Sequence, residues 1–240
     1  MLLTGFFDDF GKNVVTIIGS GGKTSLLWKL AGQKRNQKTL VATTVRIACP
    51  NAAADMYDYL LSSGEPFSPV KRGITLAGNT TTDAKFRSLS IDELEKIIPF
   101  FEYTFIEGDG SRMLPLKAWT DYEPVITLST TITVGVLPLW PLGLEINERI
   151  IHRLPLFTSL TGGQYGDKLT LNHLLHIITG NTGLFKNAQG KKILFFNQTE
   201  DDNALQNAYD LARLLPPKFK ENLAAIIAGS VHKNYAERIQ

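Results

Sequence analysis

The sequence holds a single cysteine, Cys49, which excludes an intramolecular disulfide and a cysteine-cluster metal site. Nothing around Cys49 resembles a nucleophile's setting, and it reads as a small apolar side chain. An excess of one charge is also missing. The 25 Lys and Arg against 23 Asp and Glu leave a net +2, too slight to argue for a nucleic-acid partner. There is no internal repeat, low-complexity run or block of like charge. No leader is legible: Met1 to Phe7 is short, lacks a basic start and runs into Asp8 and Asp9. The one long uncharged stretch, Pro124 to Leu144, also carries Pro138 and Pro141. It reads as two buried strands, Val125–Leu128 and Thr131–Leu137, and not as a bilayer-spanning helix. These absences lead to the expectation of a cytoplasmic globular protein without a membrane or nucleic-acid partner.

What the chain does have is concentrated at Val14–Leu27, VVTIIGSGGKTSLL. A β-branched apolar run, residues 13–19, favours a buried strand. Gly19-Ser20-Gly21-Gly22 follows, then Lys23, Thr24 and Ser25 at the head of a helix-compatible run over 23–34. Strand, glycine turn, Lys-Thr and helix together form a phosphate cradle. Glycines let backbone N–H groups turn around an anion, and the helix adds its own unpaired N–H groups. Lys23 can reach the outer phosphates, and the Thr24 hydroxyl can ligate Mg²⁺. The long pattern G-x-x-x-x-G-K-[ST] is not met, because Ile17 stands at its first glycine. The shorter G-x-x-G-K-T, Gly19 to Thr24, is what the chain carries. The competing reading is a glycine turn that happens to precede Lys-Thr; the strand before and the helix after argue against it.

Two further stretches belong with the cradle. Thr39–Thr44 reads as a second strand ending in the hydroxyls of Thr43 and Thr44, and ligands of open parallel sheets bind outside such carboxyl ends. Arg46 follows and could add charge there. Tyr103-Thr104-Phe105-Ile106 is a buried strand pattern that ends in Glu107-Gly108-Asp109-Gly110-Ser111-Arg112. A carboxylate at a strand end is the usual partner of a phosphate cradle, holding Mg²⁺ from the side opposite the Thr. Glu107 and Asp109, two apart in extended backbone, face the same way. Arg112 could neutralise charge developing on phosphate. Lys117 is a weaker candidate for anion contact.

The remaining elements are expected as follows. Residues 1–12 form a lead-in. Residues 50–72 are irregular with a helix through Met56–Leu61, and Ile74–Ala77 is a short strand. Ile91–Ile98 is a helix with Ser90 as N-cap and Glu93 completing a capping box. Glu145–Arg153 is a helix and 154–168 a loop. Leu169–Thr179 is a helix whose His173 and His176 lack further ligands for a metal and read as surface residues. His152 stands alone in sequence and reads as structural. Lys191–Phe196 is a strand ending in Asn197-Gln198-Thr199-Glu200, where Asn197 can grip a base or brace a loop and Glu200 can accept from base N–H groups. Residues 201–214 are a helix, Leu223–Ala228 is the last strand, and 231–240 is a polar tail. Against the guanine-reading form Asn-Lys-x-Asp, the chain has Gln198 and Glu200, which leaves ATP and GTP both open.

GSGGKTS at 19–25, ATTVRI at 42–47 and EGDGSRMLPLKAW at 107–119 together resemble the YqeC family. The likeness continues through DYEPVI at 121–126, HRL at 152–154 and NQTE at 197–200. Gly108 and Met113 stand where the family pattern has alanine and glycine. The resemblance implies a role as an accessory protein in maturing a selenium-dependent molybdenum hydroxylase or its cofactor. Nothing in composition or spacing speaks of selenium chemistry.

The expected architecture is a three-layer α/β, P-loop-type fold with a mostly parallel central sheet and helices on both faces. Residues 1–240 are expected to form a single P-loop NTPase-like domain. Three functions are compatible with it: a Mg²⁺-dependent nucleoside triphosphatase acting on ATP or GTP, a ligase or kinase that phosphorylates a small molecule, and a nucleotide-gated binding module without turnover.

Overall fold

The computed structural model describes residues 13–45, 47–48, 55–64, 71–80 and 85–239. The expected lead-in at 1–12, Arg46 and Cys49 lie outside the described residues. Strands are β1 (Asn13–Gly19), β2 (Lys38–Thr43), β3 (Ile47–Ala48), β4 (Tyr59–Leu61), β5 (Gly73–Ala77), β6 (Asn79–Thr80) and β7 (Lys85–Arg87) in the first part of the chain. They continue as β8 (Tyr103–Glu107), β9 (Leu116–Lys117), β10 (Ile132–Pro138), β11 (Ile151–His152), β12 (Lys191–Asn197), β13 (Leu223–Ser230) and β14 (Tyr235–Arg238). Helices are α1 (Lys23–Gln33), α2 (Ile91–Ile97), α3 (Leu154–Thr161), α4 (Leu171–Thr179), α5 (Asp202–Leu214) and α6 (Pro217–Lys220).

A nine-stranded sheet runs in the order β14-β13-β12-β10-β1-β8-β2-β5-β4. Every pairing in it is parallel except β13 with β14. Strand β1 is the centre of this order. The chain leaves it to build β2, β5 and β4 on one side, returns through β8, then crosses to β10, β12 and β13 on the other. The carboxyl end of β1 therefore lies where the winding reverses, the usual position of a ligand crevice in an open α/β sheet.

Alternation along the strands divides the core between the two faces. Val15 and Ile17 of β1, with Val134, Val136, Ile193 and Phe195, pack under Leu26, Leu27 and Leu30 of α1. Ile18, Leu137, Leu194 and Phe196 turn the other way, toward Phe157 of α3, Leu174 and Ile177 of α4, and Ala208 and Leu211 of α5. On that same reverse face, Leu40 and Ile106 meet Leu94 and Ile97 of α2. The three-layer α/β arrangement with a mostly parallel sheet follows from these contacts. Ser90 caps α2 with the full capping box, as its spacing to Glu93 implies.

Several elements differ from the sequence reading. Met56–Leu61 is not a helix; its last three residues form the edge strand β4. Val125–Leu128 is irregular, since its backbone is taken up by loop contacts: Val125 N–H donates to Gly108 O at 3.0 Å, and its own carbonyl accepts from Thr44 Oγ1 at 2.8 Å. Residues 145–150 form turns and bridge to the 160s loop, with β11 after them, so no helix spans 145–153. Helix α3 replaces the expected loop at 154–161. Pro155 suits its first turn, and buried Leu154 and Phe157 anchor it to the sheet. The polar tail contains β14, with Ala236 fully buried.

Candidate functional site

The loop after β1 takes a backbone course open mainly to glycine. Gly19, Gly21 and Gly22 have φ of 99°, 73° and 117°. A Cβ at Gly22 would lie 2.3 Å from Asn197 Nδ2, so that position requires glycine for space as well as conformation. The N–H groups of Gly21, Gly22, Lys23, Thr24 and Ser25 have no acceptor among the described residues. They form the unfilled end of α1. The Ser20 hydroxyl is buried and unpartnered.

Lys23 is buried at 3% exposure, an unusual place for an ammonium, and two carboxylates hold it there. Its Nζ is 3.6 Å from Glu107 Oε1 and 3.3 Å from Asp109 Oδ1. Thr24 Oγ1 donates to Glu107 Oε2 at 2.7 Å. The Lys-Thr pair and the strand-end acid, 83 positions apart, thus form one cluster. Burial raises the Glu107 carboxyl above the ordinary value, and the Lys23 charge and the Thr24 hydrogen bond oppose that rise.

Asp109, expected beside Glu107 as a metal ligand, is occupied by protein donors. Gly19 N–H reaches both oxygens at 3.1 and 3.0 Å, and Trp119 Nε1 donates to Oδ2 at 2.6 Å. Lys117 Nζ lies 3.2 Å from Oδ2. With Lys23 on Oδ1, the carboxylate fixes the start of the glycine loop and leaves little room for a cation.

Lys117 extends the cluster away from the loop. Fully buried, it donates to Gly110 O at 2.7 Å and to Glu123 Oε2 at 3.1 Å, 5.4 Å above the Trp119 ring. Burial lowers its pKa, and Asp109 and Glu123 oppose that. Arg153 grips Glu123 with both terminal nitrogens, Nη2 to Oε1 at 2.9 Å and Nη1 to Oε2. Burial alone would raise the Glu123 pKa; Arg153 and Lys117 outweigh it and hold it at about 2. His152, pressed by burial and then by Arg153, Arg112 and Lys117, falls to about 4 and is neutral at pH 7.

An open cleft of about 1040 Å³ borders this array. Its lining runs from Gly21 to Ser25, Thr44, Val45 and Glu107 through Gly110 to Pro115, Tyr122, Glu123, Val125, Trp140, His152, Arg153 and Gln198. Arg112 stands in its wall, exposed and without a hydrogen-bond or ion-pair partner among the described residues.

The other side chains expected at the site make their hydrogen bonds to protein. Thr43 Oγ1 donates to Val45 O and Glu107 O at 2.9 and 3.2 Å, and Thr44 Oγ1 to Val125 O at 2.8 Å. Asn197 takes the bracing role: Nδ2 donates to Gly21 O at 2.7 Å and Oδ1 accepts from Val231 N–H at 3.1 Å. Glu200 accepts from Ser230 Oγ at 2.6 Å and lies 3.8 Å from Lys233. Neither Asn197 nor Glu200 lines the cleft.

The family model described as YqeC protein matches residues 15–155. The chain belongs to the YqeC family. It is also similar to the "Uncharacterized protein YqeC" of Escherichia coli (strain K12), with 27% identity over 231 residues, 93% of this chain and 89% of that protein. The YqeC match contains Lys23, Thr24, Glu107, Asp109, Lys117, Glu123 and Arg153, the whole charged array. It ends before Asn197, which the second half of the chain contributes. Trp119, Glu123 and Arg153 lie in the stretches that resemble the family, EGDGSRMLPLKAW, DYEPVI and HRL, but residue chemistry alone gives them no role there.

Proposed function

We propose that this YqeC-family protein binds a nucleoside triphosphate with Mg²⁺ at the glycine loop and hydrolyses it in support of a client. One observation carries the reading: Thr24 and Lys23 meet the same strand-end carboxylate, Glu107, at the head of a helix whose first amides lack acceptors. Structural packing alone gives no reason to bury an ammonium beside an open run of N–H groups. A polyphosphate accounts for both.

The donor set suits a hard cation. The Thr24 hydroxyl and the Glu107 carboxylate are adjacent oxygens, and Mg²⁺ with phosphate needs only one or two protein ligands of this kind. Bound there, the ion supplies positive charge to the β- and γ-phosphates. Lys23 neutralises the outer phosphates once drawn from its carboxylates. Asp109 holds the first glycine of the loop in place, and Asn197 holds Gly21. The role in maturing a selenium- or molybdenum-dependent hydroxylase rests on the family resemblance. A ligase or kinase reading gains support from the cleft extending well past the loop.

A thermal-shift panel of ATP, GTP and their diphosphates, with and without Mg²⁺, tests the binding. Ligands that bind only the folded chain raise its apparent stability, by about 2.7 kcal/mol at a hundredfold excess over Kd. One triphosphate with Mg²⁺ is expected to raise Tm, and Lys23→Met to abolish the shift while circular dichroism shows an intact fold. An equal shift in the variant would overturn the assignment. Phosphate release under the same conditions separates turnover from a gated binding module.

A further inference from the structure

We propose that the cleft beside the glycine loop also holds a second binding subsite, for a planar aromatic anion held alongside the triphosphate. Its role as companion to a triphosphate rests on the reading above; its preference for an aromatic anion does not.

Two large aromatic side chains line the cleft without being packed away. Tyr122 is 71% exposed and Trp140 50% exposed, and both face the cleft. Exposed indole and phenol rings beside a concave surface offer faces on which a flat ligand can stack. The charges nearby are unequal in their availability. Arg153 is neutralised by Glu123, Glu123 is shared with Lys117, and His152 is uncharged at pH 7. Arg112 has no ion-pair partner among the described residues, and it lines the same cleft. Its φ of 53° and the 62° of Met113 place two successive side chains in the left-handed region. That conformation costs non-glycine residues free energy and tends to occur where a side chain must be aimed. A ring stacked on Tyr122 or Trp140 with an anionic group on Arg112 uses each of these features. A nucleobase is neutral and would leave Arg112 without a partner.

The probe is 2-naphthoate, with neutral 2-naphthylmethanol as control, titrated by ligand-observed NMR into the full chain. Inorganic tripolyphosphate with Mg²⁺ fills the glycine loop without supplying a base. Naphthoate is expected to bind under these conditions, and the alcohol several-fold more weakly. Arg112→Ala and Trp140→Ala are each expected to weaken naphthoate about fivefold or more. Both side chains are exposed, so the variants should fold, and Tyr165→Ala, also exposed but outside the cleft, should bind as wild type. Unchanged affinity in both cleft variants would overturn the proposal. So would displacement of naphthoate by a non-hydrolysable ATP analogue but not by tripolyphosphate, which would make this the base pocket. If no triphosphate shifts Tm and naphthoate still depends on Arg112 and Trp140, the triphosphate reading falls and the subsite stands.

Discussion

Lys117 shows how much of this site is fixed by single side chains. It is one of the largest fully buried residues of the chain, and it lies between Asp109 and Glu123. Removing one partner of such a cluster leaves the other charges buried without compensation, which costs more than the cluster itself contributes. Lys117→Met keeps the length and loses the charge. It is expected to lower unfolding free energy by about 3–5 kcal/mol, read from urea denaturation. A loss below about 1 kcal/mol would mean that water reaches the cluster and screens it. The sequence already suggested Lys117 as an anion contact. It does contact anions, but they are the protein's own carboxylates. A lone Lys after a Pro-Leu pair gives no sign of which partner it will find, because Asp109 and Glu123 reach it only through the fold.

At the level of elements, the strand-loop-helix at 13–33 and the acid-ended strand at 103–107 were legible because each is a local pattern. β-branched runs mark the strands, and glycines followed by Lys-Thr mark the turn. Illegible elements were those decided by tertiary partners. Helix α3 exists because Leu154 and Phe157 have a sheet face to cover, although glycine and threonine follow close behind. Residues 125–128 have a strand's composition but lend their backbone to Gly108 and Thr44. The end of β12 was half legible. Asn197 could brace a loop or hold a base, and only the meeting of β12 with the glycine loop decides for the brace. Asn197→Ala removes bonds to Gly21 and Val231 and leaves a buried carbonyl and an amide unpaired. A stability loss of about 1–3 kcal/mol is expected. The thermal shift proposed for the triphosphate should shrink further than that loss explains, since the loop is no longer pre-shaped. An undiminished shift would show that Asn197 supports the fold without shaping the loop.

For the molecule as a whole, the array at the sheet's carboxyl edge makes stability depend on pH. His152 titrates near 4 in the fold and near 6.5 when unfolded. As pH falls between those values the unfolded chain gains a proton that the folded chain refuses, so stability declines. Glu123, near 2 in the fold against 4.5 unfolded, contributes above 4.5 and loses that contribution as pH falls toward 2. Glu107, held high by burial, works in the opposite sense and partly offsets the decline. A His152→Asn comparison isolates the upper limb. Denaturation midpoints should fall less between pH 7 and pH 5 in the variant than in the wild type. Parallel profiles would place His152 in water in the folded state.

The brace from Asn197 also has a consequence for synthesis. A ribosome that has made the chain only as far as Arg153 has already supplied every charged group of the cluster, yet Gly21 still lacks the amide that holds its carbonyl. The cradle is therefore finished late. If the cradle holds nucleotide as proposed, a nascent chain should be unable to retain it until β12 has left the exit tunnel and joined the sheet beside β10.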